Sequence, residues 1–180
     1  MKRVFAAVVL TLALVAAGCG GSKSDTTPTE KWAGDLCSAV NTWRTSITSI
    51  VSSVQQNGVT KDSLKNALDQ AKSDTKKLTD DLKSLGRPNT EAGDEAQADV
   101  DQLATELDDG LAKVGDAVDN ASGTQGMLSA VSVIGGTLST MAQQFRTTLT
   151  ALEGLGEGQK EIKQAFQTVP ACKELTASSS

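Results

Sequence analysis

Apolar residues recur along this chain at alternating steps of three and four, and no stretch alternates with a period of two. The pattern is that of buried helical stripes rather than strands. Trp32, Leu36, Val40, Trp43, Ile47, Ile50 and Val54 mark the first stripe and predict a helix over 29–56, with Thr29 as N-cap and Asn57 and Gly58 as its stop. Leu64, Leu68, Ala71, Thr75, Leu78, Leu82 and Leu85 mark the second, over 61–85. This is a heptad seam whose one polar member is Thr75. Thr60 is its expected cap, and Gly86, Arg87 and Pro88 end it.

The third stripe, Ala96, Val100, Leu103, Leu107, Leu111, Val114 and Val118, predicts a helix starting at Thr90 or Glu91 and running to Ala121. Met127, Val131, Ile134, Leu138, Met141, Phe145, Leu149 and Leu152 predict a fourth over 124–153. A short fifth over 158–168 sets Leu155, Ile162, Phe166 and Val169 on one side and stops at Pro170. Four long stripes joined by short turns pack antiparallel. The expected fold is therefore all-α, an antiparallel up-down four-helix bundle with a short fifth C-terminal helix.

Glycines interrupt two of these helices, at Gly110 and Gly115 and at Gly135 and Gly136. Each costs about 1 kcal/mol relative to Ala. A hairpin centred near Gly123 and Thr124 sets Gly110 level with Gly136. Three readings stay open there: close approach of the two helices, a kink, or a slot for a ligand where side chains are missing.

Composition narrows the chemistry. The chain has no His and no Tyr, which removes the commonest general base and metal ligand. There is no phosphate-binding loop, nucleophile elbow or carboxylate pair with a base beside it. The expectation is a protein that is not an enzyme, with no cofactor, no metal and no catalytic residue. Ten acids lie between Glu91 and Asp119 with Lys113 as the sole base. They read as a solvated face, or else as a weak cation site or a dock for a basic partner. A nucleic-acid partner would need a basic face, which is lacking.

The N-terminus adds a compartment. Lys2 and Arg3 precede an apolar run over 4–17 that is several residues shorter than the roughly 20 a spanning helix needs. It ends in Val15, Ala16, Ala17, Gly18 and Cys19, which resembles the lipobox of bacterial lipoproteins. The resemblance implies that residues 1–18 are a signal peptide that is removed. It also implies that Cys19 carries diacylglycerol and anchors the protein on the extracytoplasmic face of the cell membrane. Residues 20–29, rich in Gly, Ser and Thr, read as a flexible tether, and residues 176–180 as a disordered tail. The helical domain then covers 30–175. Without Lys2 and Arg3 the 17 basic residues fall to 15 against 22 acidic ones, a net charge of −7. Such a chain is repelled by anionic lipid, so the lipid on Cys19 must hold it.

In an exported chain the two other cysteines, Cys37 and Cys172, suggest a disulfide, because nothing outside the cytoplasm keeps them reduced. A redox or metal role is the alternative, without a Cys-x-x-Cys or a His to support it. With the lipobox, the Trp- and Cys-bearing first helix and the late Pro170, Ala171 and Cys172, the chain resembles the small helical lipoproteins of Gram-positive bacteria. That likeness implies no activity. The leading expectation is a lipid-anchored envelope protein that presents its bundle to another envelope protein or a wall polymer. The alternative is an extracytoplasmic binding protein for a lipid or small hydrophobic ligand.

Overall fold

Thr27, two residues before the expected cap, starts the first helix. Its side chain accepts from the Glu30 backbone N–H, and the Glu30 carboxylate accepts from the Thr27 backbone N–H at 2.8 Å, a reciprocal capping box with Pro28 at the first helical position. The computed structural model describes residues 26–154 and 159–177. The expected signal peptide, Cys19 and the tether up to residue 25 lie outside the described residues. Pro28 and Thr29, assigned to the tether from sequence, are helical.

Among the described residues six helices follow in order: α1 (Pro28–Asn57), α2 (Lys61–Leu85), α3 (Gly93–Asp119), α4 (Gly123–Gly154), α5 (Gln159–Thr168) and α6 (Pro170–Ala177). Among the described residues there is no strand. The sixth helix was not expected. Pro170 begins it rather than merely ending α5, because a residue without an N–H fits a first helical turn. Thr176 and Ala177, placed in the tail from sequence, belong to α6.

α2 starts at Thr60, whose hydroxyl accepts from the Ser63 N–H, and closes at Gly86, whose φ of 61° a side chain would resist. The Gly86 carbonyl accepts the Trp32 indole N–H at 2.9 Å, which ties the start of α1 to the end of α2. α3 begins later than the pattern suggested because Thr90 and Glu91 are spent in a turn. A Cβ on Gly93 would sit 2.3 Å from the Pro88 carbonyl oxygen, so only glycine lets the chain pass there.

The long helices pack in sequence order, α1 on α2, α2 on α3 and α3 on α4. No comparable α1–α4 interface closes the series. Instead α5 and α6 lie on α1, and α5 also reaches α4. One hydrophobic core joins the first half of α1 to α5 and α6, with Leu36, Leu82, Leu103, Leu152, Ile162 and Phe166 among its buried members. The Trp32 and Phe166 rings meet edge-on, 6.3 Å apart. A second, smaller core joins Leu64 and Leu68 of α2 to Val114 and Val118 of α3 and Ala130 of α4.

Candidate functional site

The fourth stripe is where sequence and packing part. Of its expected inward residues only Met141 and Leu152 are buried. Ile134, Leu138, Phe145 and Leu149 are half-covered and Val131 is 41% exposed. α5 and α6 fill the space between α1 and α4 beside the first half of α1 only. Beside the second half nothing fills it, and an apolar cleft of about 280 Å³ remains.

All four long helices contribute walls: Ile47, Val51 and Val54 from α1, Leu64 and Leu68 from α2, Val114 and Val118 from α3, and Val131, Ile134 and Leu138 from α4. Trp43 and Met141 close the side that abuts the larger core. Val59 and Val131, two of the few large apolar side chains left exposed, stand at its rim. Gly135 lines it too, and a Cβ there would meet nothing within 4 Å.

Among the described residues only three lining side chains, Trp43, Gln55 and Thr75, can form hydrogen bonds. Thr75 is buried, and its hydroxyl accepts the Trp43 indole N–H at 3.0 Å. Among the described residues no ionisable side chain lines the cleft. Such a space can hold hydrocarbon. Its volume sits at the small end of ligand sites, which run from about 300 to 1,000 Å³.

The helices flanking the opening share a feature that the hydrophobic periodicity hides. Residues 45–60 and residues 123–145 contain no charged side chain in a chain that is 22% charged. The signal was present in the sequence as two long gaps in the charge pattern.

Other expected sites resolve separately. Cys37 and Cys172 are bonded, S–S 2.01 Å and Cα–Cα 5.0 Å, joining α1 to α6. The Asn41 side-chain amide donates to the Ala171 carbonyl at 2.8 Å beside them. Cys19 lies outside the described residues. Gly110 and Gly136 do not frame the ligand space. A Cβ on Gly110 would fall 2.5 Å from the Met141 Cε, so close packing of α3 on α4 explains that glycine. The two glycines line a separate space of about 350 Å³ whose walls include the charged Glu106, Asp109 and Lys113.

The α3 acids stay spread, and among the described residues no three metal-ligating side chains converge. Nor do the nearby lysines of α2 balance them throughout, since Lys76 and Lys77 pair with Asp80 and Asp81 on their own helix. Asp99 differs from the other acids. One of its carboxylate oxygens is buried without a hydrogen-bond partner, and burial, with the Glu95 charge second, raises its carboxyl above the ordinary range.

Neither a protein-family model nor a curated protein nor a solved structure matches the chain. Among the described residues no helix is long and apolar enough to cross a membrane.

Proposed function

We propose that the chain is a lipid-anchored, extracytoplasmic binding protein that takes the hydrocarbon part of a lipid or small hydrophobic ligand between α1 and α4. One observation carries this: the cleft is walled by apolar side chains from all four long helices, and its opening carries exposed Val59 and Val131. A monomer that leaves such a space unfilled forfeits packing energy along its whole lining, which a hydrocarbon ligand restores. In this reading the four long helices run up-down-up-down, and α5 and α6 form a half-length plug stapled to α1 by the disulfide.

The anchor rests on the lipobox-like residues ending in Cys19. Cys19→Ala is expected to abolish incorporation of labelled fatty acid into the protein, and unchanged labelling removes the anchor from the reading. For the cleft, protein isolated from its own cells is extracted into organic solvent and the extract weighed by mass spectrometry. The native chain is expected to release a bound hydrocarbon species that Gly135→Leu, which sets a branched side chain on the cleft wall, holds more weakly and releases in smaller amount. Extracts that are the same for both chains would remove the cleft from the reading.

The second reading, a bundle offering a surface to an envelope protein or wall polymer, draws on the exposed acids of α3. Crosslinking in intact cells separates the two, because a partner held on the α3 surface remains joined when Gly135→Leu alters the cleft wall.

A further inference from the structure

The charge map of the domain is one-sided. α2 and α3 carry alternating and acidic charges along their length, whereas residues 45–60 of α1 and 123–145 of α4 carry none. Those two stretches border the opening of the cleft. Exposed Leu128, Val131 and Val59 lie on or between them, at 63%, 41% and 47% exposure. Leu128, Val131 and Gly135 follow at steps of three and four on α4, so they form one line that runs into the cleft.

We infer that this uncharged α1/α4 face docks on an electrically neutral lipid surface with the cleft opening turned towards it. The inference rests on the cleft reading above and adds the surface from which the ligand comes. Three physical arguments favour a lipid surface over another occupant. An acidic chain is repelled by anionic headgroups, and the repulsion is weakest where the protein presents no acid. Ser and Thr between the apolar residues, such as Ser52, Ser132 and Thr48, bring hydroxyls rather than charges to the headgroup layer, and those of Thr48 and Ser52, which donate to carbonyls of their own helix, keep oxygen acceptors for it. The face is also small. The uncharged stretches of α4 and α1 are about 35 Å and about 24 Å long on helices about 10 Å wide, roughly 600 Å² together, below the roughly 800 Å² per partner of a stable dimer. An opening against the lipid layer lets a hydrocarbon chain pass into the cleft without crossing water, which removes the largest barrier to its transfer.

The test places a tryptophan on each side of the domain. Full-length Leu128→Trp and, on the charged side, Ser73→Trp are reconstituted in vesicles of phosphatidylcholine brominated in its acyl chains. Both side chains replaced are exposed, and the apolar leader or lipid on Cys19 holds either chain to the vesicle. Leu128→Trp is expected to lose most of its added emission to bromine relative to unbrominated vesicles, and Ser73→Trp to lose none. Equal quenching at both positions, or none at 128, overturns the inference. So does a blue shift at 128 that grows with protein density in the vesicle, because a second copy then covers the face. Binding of a fluorescent fatty acid by the same chains in detergent-free solution reports the cleft independently. Binding retained with position 128 unquenched rejects the docking alone, and quenching at 128 without binding rejects the cleft alone.

Discussion

The indole N–H of Trp43 donates to the hydroxyl of Thr75 across the α1–α2 interface, 3.0 Å away and with both residues buried. This bond explains the single polar residue in the α2 heptad seam. It also leaves the deep end of the cleft without a free indole donor for a ligand. Thr75→Val keeps the shape and removes the acceptor, so the indole N–H is stranded in an apolar wall. The expected loss is about 1–3 kcal/mol, read as a lower denaturation midpoint with an unchanged slope. Thr75→Ser, which keeps the hydroxyl, is expected to recover most of it. Equal midpoints for Thr75→Val and the native chain would show that the bond contributes nothing.

Cys37 and Cys172 close a loop spanning 135 positions. By loop-closure entropy such a link stabilises by up to about 4–5 kcal/mol. Cys37→Ser is therefore expected to melt lower by up to about 10–20 °C under oxidising conditions for a domain of this size. Adding reductant should bring the native chain down to the variant and leave the variant where it is. A native melting temperature indifferent to reductant contradicts the bridge.

The glycines sort by what surrounds them. At Gly93 a methyl group meets backbone, the Pro88 carbonyl oxygen at 2.3 Å, so Gly93→Ala must shift the α2–α3 turn and is expected to cost about 1–3 kcal/mol. At Gly135 and Gly136 a methyl group meets nothing within 4 Å. Alanine at either position is expected to stabilise α4 by up to about 1 kcal/mol, since helix propensity is then the main change. Chemical denaturation of the three variants tests the sorting, and it fails if Gly135→Ala unfolds more easily than the native chain.

Much of the fold was legible because a stripe at steps of three and four specifies a helix whatever it packs on. α2 came out at its expected ends, 61–85, because Thr60 and Gly86 punctuate it locally. The packing of α4 was not legible. Periodicity shows which side of a helix is apolar, and it does not say whether a neighbour covers that side. Val131 and Ile134 carry the same pattern as the buried Val114 and Val118. What decides their exposure is the length of α5 and α6, which fill only half of the space beside α1. Gly110 and Gly136, set level by counting along a hairpin, do line one space, but the count could not foresee that Met141 packs on Gly110 or that charged side chains share that lining. The Cys37–Cys172 bond was legible by elimination, given export.

Asp99 gives a pH dependence. Its carboxyl is raised above the ordinary value of 3.8 by burial and then by Glu95. The folded state thus holds this proton more tightly than the unfolded state does. Its contribution is fully present below pH 3.8 and is lost as the pH rises from there through the raised value. At neutral pH the ionised carboxylate works against folding. Asp99→Asn is expected to be more stable than the native chain at pH 7, with the advantage shrinking as the pH falls through the raised value and gone below pH 3.8. Denaturation at both pH values checks it, and a constant difference between the two chains would contradict it.

The cleft between α1 and α4 is tested most directly through its own tryptophan. Both tryptophans belong to the larger core, but Trp43 lines the cleft, while Trp32 packs against Phe166 and does not. Titrating the protein with a fatty acid brominated along its chain should quench Trp43 saturably at one ligand per protein, leave the Trp32 emission unchanged, and have a smaller effect in Gly135→Leu. Quenching that is absent, or that persists undiminished in Gly135→Leu, would contradict hydrocarbon binding in this cleft.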